Sequence, residues 1–255
     1  MLRHHTQTVS THMKKTLTSI FVISILTLFF WNCKEEKAIS ETEFEQKVFY
    51  EIFPVILDSI YYDKRLIPPP PPPPDFFQKE EYENNIEKGL QDYKQTDKFK
   101  KDIRKWERKK DSLERDKSSI YLVVSDSISK LEREDLKKLT EHFKIQNVRP
   151  NAKDIGLDEI YEININRLKS NNQKVKFKYR SEFPSGGKFW RTEYDYFIAA
   201  NIGFSRIMFD NSKNYGVLNG GYKMGILNGS GFRIFIKKNR KGNWIIDKIE
   251  ETWIS

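Results

Sequence analysis

Few residues of this chain are suited to nucleophilic catalysis. His142 is the only histidine after residue 12, and it lies in the apolar-periodic segment Glu134–Phe143. Ser205 stands in a Gly-Phe-Ser-Arg-Ile sequence, which lacks the second glycine of a nucleophile elbow. A Ser-His-Asp site would have to use this one histidine. We therefore predict that His142 is a packed or surface residue, and we assign no catalytic residue.

A group of acids near the C-terminus could support a different chemistry. Asp247, Glu250 and Glu251 follow one another closely, and two carboxylates flanking a glycosidic bond can act as acid and base. A carboxylate-dependent hydrolase or lyase acting on envelope polymers is therefore the alternative function. One cysteine and one late histidine are too few for a thiolate or imidazole metal site. We expect no metal and no cofactor, although an acid-only cation site stays open.

Glycines and bases gather late in the chain. Eight of the 12 glycines lie in residues 203–242, without the Lys-Ser/Thr of a phosphate loop. We interpret them as hairpin turns, bulges or close approaches of backbone, and Ser185–Lys188 as a turn. A basic hairpin tip is also predicted, either solvated or in contact with anionic glycan or lipid headgroups. Its residues are Lys237, Lys238, Arg240 and Lys241.

The N-terminal residues are organised like an export signal. Arg3, Lys14 and Lys15 precede Thr16–Trp31, which carries no charge. This run is short for a membrane span of about 20 residues, and it fits the apolar core of a signal peptide. We predict a signal peptide over residues 1–32, with Met13 as a more natural start than Met1.

The residues that end this run carry a resemblance. Phe30-Trp31-Asn32-Cys33 resembles the lipobox of bacterial lipoproteins, although that family prefers Leu in place of Phe30 and a small residue in place of Asn32. The resemblance implies that Cys33 is lipidated, with palmitate among its acyl chains, and becomes the new N-terminus. A buried or incidental cysteine in an uncleaved anchor is the alternative.

Three charged residues follow the cysteine. Lys34, Glu35 and Glu36 resemble the lysine-plus-two-acids tag of surface lipoproteins in some Gram-negative bacteria. A solvated tether is the alternative interpretation. Together with Cys33 they imply an outer-membrane lipoprotein of the cell envelope, with exposure at the cell surface as a further expectation.

Composition excludes several classes of protein. The 255 residues include 18 Phe, 12 Tyr and 5 Trp, too many aromatics for a disordered chain. A single long apolar run excludes a polytopic membrane protein, and a single cysteine excludes an internal disulfide framework. The net charge is +9, and it falls to +6 when the predicted leader takes Arg3, Lys14 and Lys15 with it. An excess of this size favours anionic surfaces only weakly. We expect no nucleic-acid partner.

The order of elements predicts an α+β fold: N-terminal helices, a proline-rich connector, and an antiparallel meander with a short helix. Pro54 is expected to kink or split the first helix, and Pro68–Pro74 to form a polyproline II spacer or strap. The charged segment Phe76–Lys117 is expected to break near Gln95–Asp97. The predicted divisions are a tether over 33–40, a helical region over 41–117 that begins with helix Glu41–Tyr62, and an α+β domain over 118–255.

Strand patterns dominate the last part of the chain. Lys174–Arg180 alternates bases with apolar residues and predicts a strand with one buried face. Ser119–Ser125 is a further strand, and Glu134–Phe143 is the short helix. Trp253 is expected to be buried in a last strand that pairs within the sheet. The remaining strand-like stretches are 201–209, 215–224, 231–238 and 243–254.

A wider family resemblance covers most of the chain after Cys33. Phe53-Pro54, Tyr61-Tyr62-Asp63, Gly203–Ile207 and the closing Trp244 and Thr252–Ser255 resemble uncharacterised surface lipoproteins of the same Gram-negative group. The C-terminal part is also similar, at the level of fold, to cystatin-like and nuclear transport factor 2-like domains. Neither likeness implies an activity.

These patterns together predict a lipid-anchored protein of the cell envelope. We expect it to be a non-catalytic binding or structural module whose ligand is unknown. The partners expected from the sequence are the membrane, through the acyl anchor at Cys33, and an envelope protein or anionic glycan.

Overall fold

The computed structural model describes residues 39–78, 80–83, 85–151 and 160–255, and residues 41–255 pack as one unit. The helices are α1 (Glu41–Ile60), α2 (Glu80–Glu83), α3 (Ile86–Gln95), α4 (Asp97–Arg115), α5 (Arg133–His142) and α6 (Lys188–Arg191). The strands are β1 (Ile120–Val124), β2 (Val175–Tyr179), β3 (Phe197–Phe204), β4 (Met208–Phe209), β5 (Tyr215–Gly225), β6 (Asn228–Lys238) and β7 (Trp244–Ile254). Short 3-10 turns lie at Lys64–Leu66, Pro74–Phe77, Lys144–Gln146, Ile165–Arg167 and Arg180–Glu182.

The strands form one open sheet in the order β2-β1-β3-β5-β6-β7, with β4 paired to β5. β1 pairs in parallel with both of its neighbours, whereas the pairs from β3 to β7 are antiparallel. The predicted α+β class is therefore confirmed. The sheet is mixed rather than wholly antiparallel because long connections, which parallel pairing requires, carry the chain from β1 to β2 and from β2 to β3.

Helix α1 covers one face of the sheet. Its apolar residues recur every three or four positions, so they form one stripe that can be buried. Phe49 and Phe53 are fully buried, and their rings lie 5.6 and 5.8 Å from the ring of Phe204 on β3. Alternate residues of the central strands complete this core, among them Leu122, Ile202, Leu218 and Ile234.

A buried ion pair joins α1 to the loop after β3. Arg206 donates from Nη2 to Oε2 of Glu45 over 2.9 Å, and both residues are buried. The second carboxylate oxygen of Glu45 accepts the backbone N–H of Ile207 at 2.8 Å. A buried charge is costly unless it is paired and hydrogen-bonded, so this arrangement holds α1 in one position along the sheet.

Pro54 does not split the first helix. Helix α1 continues from Glu41 to Ile60 with Pro54 inside it. A proline removes one N–H, here the one that would reach the carbonyl of Tyr50. The extensive burial of the helix compensates for the lost bond, so the expectation of two pieces is wrong.

The proline run lies along the protein. It is free of helix and strand from Pro68 to Pro73, and Pro74 begins a 3-10 turn. Pro69 and Pro72 are half-buried, whereas the other prolines of the run are exposed. A spacing of three residues is one turn of a polyproline II helix, so one edge of the run faces inward as a strap would.

The charged segment after the prolines folds into two main helices, as predicted. Helix α3 ends at Gln95, and Thr96 caps α4 by accepting the N–H of Phe99 at 3.2 Å. The indole N–H of Trp106 donates to the carbonyl of Leu66 at 3.1 Å, which ties α4 to the residues before the prolines.

Within the described ranges, the second face of the sheet is covered at its two ends. At one end, α5 packs Leu139 and the following Phe143 against Phe235 of the sheet. At the other end, Phe183 and Phe189 pack against strands β1 and β3. Between these two clusters none of the described helices lies over the middle of the face, and there a groove crosses the strands.

Candidate functional site: a glycine-floored groove across the sheet

The floor of the groove is a row of glycines. Gly203 of β3 pairs with Gly221 of β5, and Gly221 pairs with Gly231 of β6. Residues paired in this way lie on the same face of the sheet, so three adjacent strands carry no side chain at this level. The row extends to Ser125 beyond β1, whose Oγ would lie 2.8 Å from a Cβ added at Gly203.

An aromatic ring lies on this floor. Trp253 of β7 is the cross-strand partner of Gly231, and a Cβ added at Gly231 would overlap its indole. The ring reaches as far as Gly221, where an added Cβ would lie 3.4 Å from Cζ2 of Trp253. Gly231 is therefore required because the indole rests directly on its backbone.

Trp253 is not buried, contrary to the expectation. The last strand does pair within the sheet, but the side chain of Trp253 remains 44% exposed. The register explains this, because pairing with Gly231 directs the ring to the face that lacks a covering helix. One ring face thus contacts backbone while the remainder is open to a ligand.

A polar wall borders the glycine floor on the side of α5. Asp135, fully buried in the first turn of α5, accepts Nδ2 of Asn219 at 3.0 and 2.9 Å. It also accepts the backbone N–H of Glu132 at 3.1 Å. Arg233 lies beside it, with Nε 3.4 Å from Oδ1 of Asp135. The buried hydrogen bonds hold Asn219 in a fixed position, whereas Arg233 is held beside Asp135 by charge, with its Nε making no hydrogen bond to a described residue.

Ser205 completes this wall through the backbone. Its hydroxyl donates to the carbonyl of Arg206 and accepts the N–H of Asn219, both at 2.8 Å. Both hydrogen bonds are internal to the loop and strand pair. Ser205 therefore positions the wall and does not present a free nucleophile.

The groove is continuous over three adjoining cavities. One of about 230 Å³ is lined by Ser125, Ser127 and Ser129 on one side and by Trp253 on the other. A larger one of about 440 Å³ adjoins it at Asn219, Gly220 and Trp253. A third, of about 190 Å³, adjoins the first at Gly203 and Gly221. An extended ligand could therefore lie across several strands.

The larger cavity is lined by charge. Arg233 lies there among four acids, which are Glu132, Glu134, Glu250 and Glu251. Lys248 Nζ lies 2.7 Å from Oε1 of Glu250, and this ion pair lowers the pKa of the Glu250 carboxyl. Ser230 donates to Glu251 at 3.2 Å. Glu250 is thus held as a carboxylate, which suits hydrogen-bond acceptance or a base more than proton donation.

The structure separates the three acids that the sequence grouped. Glu250 and Glu251 line the groove, but Asp247 accepts from His142 Nε2 at 2.7 Å and pairs with Lys237. Burial alone would raise the pKa of Asp247, but Lys237 and His142 outweigh it and lower that pKa. A bulge between Lys248 and Ile246 sets the two parts of β7 apart in register.

His142 is a packed residue, as predicted. Its ring stacks on Phe235 with centroids 3.9 Å apart. Its Nε2 lies 2.7 Å from Oδ2 of Asp247, whereas the hydroxyl of Ser205 bonds to Arg206 and Asn219. His142 and Ser205, which a Ser-His-Asp site would need side by side, therefore bond to different partners.

Other predicted features have varied outcomes. Gly186 has φ of +57°, which fits the turn predicted over Ser185–Lys188. Lys237 is paired with Asp247, whereas Lys238 lies over the ring of Trp244 at 5.3 Å. The basic hairpin tip is thereby reduced to Arg240 and Lys241. Cys33, Lys34, Glu35 and Glu36, and the leader before them, lie outside the described residues.

Sequence reasoning missed the polar wall. Asp135, Asn219 and Arg233 come from three separate elements, and no local spacing links them. The available signal was the glycines inside strand patterns, which indicate close approach of backbone or of a ring. The glycines indicated the floor of the groove, but not that the side chain of Trp253 rests on it.

Comparison of the chain with protein families, with characterised proteins and with solved structures finds no match. Among the described residues, no helix is both long and apolar enough to cross a membrane. The groove therefore has to be interpreted from its own geometry.

Proposed function

We propose that this protein is a lipid-anchored, non-catalytic binding module of the cell envelope that holds a glycan segment in its groove. The observation that carries the proposal is the half-exposed indole of Trp253 on a floor of glycine backbone. The leader, Cys33 and the charged residues after it support the envelope location.

A glycan matches the chemistry of this surface. A sugar ring offers an apolar C–H face and a rim of hydroxyls, each of which can donate and accept hydrogen bonds. Trp253 provides a flat apolar surface, and Asn219, Arg233 and Glu250 provide polar groups along the wall. Because the groove is shallow and crosses several strands, it suits a linear chain of sugars better than a compact small molecule.

The test is binding of envelope-derived oligosaccharides, measured by calorimetry with the wild-type chain and two variants. Trp253→Ala removes the ring, and we expect roughly tenfold weaker binding, since aromatic contacts contribute about 0.5–1.5 kcal/mol beyond area burial. Ile254→Ala is the matched control, because Ile254 is the next residue of the strand and is exposed outside the groove lining. Unchanged affinity in Trp253→Ala, or no binding by wild type, would refute the proposal.

A carboxylate-dependent hydrolase is the second candidate. It is favoured by the four acids around the larger cavity, because glycosidases act through two carboxylates across one bond. The distinguishing assay measures release of reducing ends from the same oligosaccharides. Turnover that Glu250→Gln and Glu251→Gln abolish would establish the hydrolase, whereas binding without turnover supports the module.

A further inference from the structure

Helix α4 contributes little to the core. None of its 19 residues is buried. Its apolar stripe of Phe99, Ile103, Trp106 and Leu113 is only half-buried. A helix of this length that does not stabilise the core by burial has another use for its surface.

The inner side of α4 is fixed to the rest of the protein at three points. Trp106 donates to the carbonyl of Leu66. The ring of Phe99 lies 5.5 Å from that of Tyr93. Lys174 of the β2 region donates to the carbonyl of Leu113 at 2.9 Å. These contacts orient α4 so that the opposite side faces solvent.

That outer side is basic. Six exposed cations lie there: Lys98, Lys101, Arg104, Lys105, Arg108 and Arg115. By helical spacing the exposed acids Asp97 and Asp111 share this side, so it carries four more positive than negative charges. Within the described part of the chain, no carboxylate lies within 4 Å of any of the first five cations. Within this helix Lys110, which is not part of the outer row, pairs with Glu114.

We propose that the outer face of α4 binds a membrane surface rich in anionic lipid headgroups. The row runs from residue 98 to residue 115, which is about 26 Å at 1.5 Å per residue, and it is straight because it follows one helix. A long array of unpaired cations matches an extended anionic surface better than a single small anion. The absence of large apolar side chains on this face favours adsorption at the headgroups over insertion.

This role is independent of the groove and complements the proposed anchor. Stable membrane attachment usually takes two signals, such as acyl chains plus a basic patch. Each Lys or Arg close to an anionic membrane surface raises the partition coefficient of the protein onto that membrane roughly fivefold. The basic face would hold the anchored protein against the headgroups in one orientation.

The test is cosedimentation of the full chain with two kinds of vesicle, one of phosphatidylcholine alone and one containing phosphatidylglycerol. Acyl chains or an apolar leader would bind both kinds of vesicle. The readout is therefore the partition coefficient for vesicles with phosphatidylglycerol divided by that for phosphatidylcholine alone. Lys101→Glu with Arg108→Glu should reduce this ratio by at least about 25-fold, and raised salt should reduce it in wild type.

The matched control reverses two cations elsewhere. Lys169→Glu with Lys176→Glu changes the net charge by the same amount at two exposed lysines away from α4, and this variant should keep the wild-type ratio of partition coefficients. A wild-type ratio near one would overturn the proposal. So would equal losses in both double variants, or binding of wild type to soluble polyphosphate but not to phosphatidylglycerol vesicles.

Discussion

The indole of Trp253 rests on the backbone of Gly231, its cross-strand partner, between the two clusters that cover the ends of this sheet face. Neither residue has an evident role by itself: one is a half-exposed tryptophan near the chain end, the other a glycine inside a strand. Their pairing makes a flat aromatic site that the strand keeps in place.

Gly231→Ala should therefore displace the ring and destabilise the hairpin. Overpacking by one methyl costs about 1–3 kcal/mol, and here it would also shift the tryptophan emission. Urea unfolding and fluorescence measure both effects. Gly225→Ala is the control, since an added Cβ there meets nothing closer than 3.7 Å. Equal stability of the two variants would contradict the described contact.

Trp253→Ala and Trp244→Ala should differ strongly in stability. Trp244 is only 7% exposed and packs beside Phe209, so its removal should cost about 3–5 kcal/mol, as for other core aromatics. Trp253 is half-exposed, and its removal should cost clearly less. Thermal unfolding of both variants tests this, and similar losses would mean that Trp253 belongs to the core.

Glu45→Ala should be one of the most damaging single changes in the protein. It removes the carboxylate that forms an ion pair with the buried guanidinium of Arg206, and a broken buried pair costs about 3–5 kcal/mol. Glu41→Ala, which breaks an exposed pair with Lys213, should cost less than about 1 kcal/mol. A double variant, Glu45→Leu with Arg206→Met, should be more stable than Glu45→Ala. Urea unfolding of the three variants measures these differences.

Acid should weaken the contact between α5 and β7. The pKa of Asp247 is lowered from its ordinary value of 3.8, mainly by Lys237 and His142 acting against burial. A carboxyl with a lowered folded pKa stabilises the protein above its unfolded pKa, and this contribution disappears as pH falls below about 4. Asp247→Asn should lower the free energy of unfolding at neutral pH. It should also make that free energy fall less steeply as the pH drops below about 4. The same dependence of unfolding free energy on pH in wild type and variant would exclude this contribution of Asp247.

Cys33→Ala should release the protein from membranes or leave it unprocessed. Stable anchoring needs more than one acyl chain, and Cys33 is the chain's sole cysteine. Metabolic labelling with a fatty-acid analogue measures the modification directly. Equal label in wild type and in the variant would refute the lipidated cysteine.

Local patterns in the sequence determined the elements themselves. The alternation over Lys174–Arg180 predicted β2, and the slip in helical phase near Thr96 predicted the end of α3 and the start of α4. These predictions succeeded because side-chain period depends on backbone geometry within a few residues. Of the two outcomes predicted for Pro54, a kink or a split, the split is wrong, because burial of the apolar stripe of α1 outweighs the local penalty.

Only the tertiary structure decided what the elements build together. Glu45 and Arg206 are 161 positions apart, and the alignment of Gly203, Gly221 and Gly231 depends on the register of two strand pairs. A shift of one residue in either pair would turn every side chain to the other face. The exposure of Trp253 follows from that register and from the gap between α5 and α6, neither of which a local pattern contains.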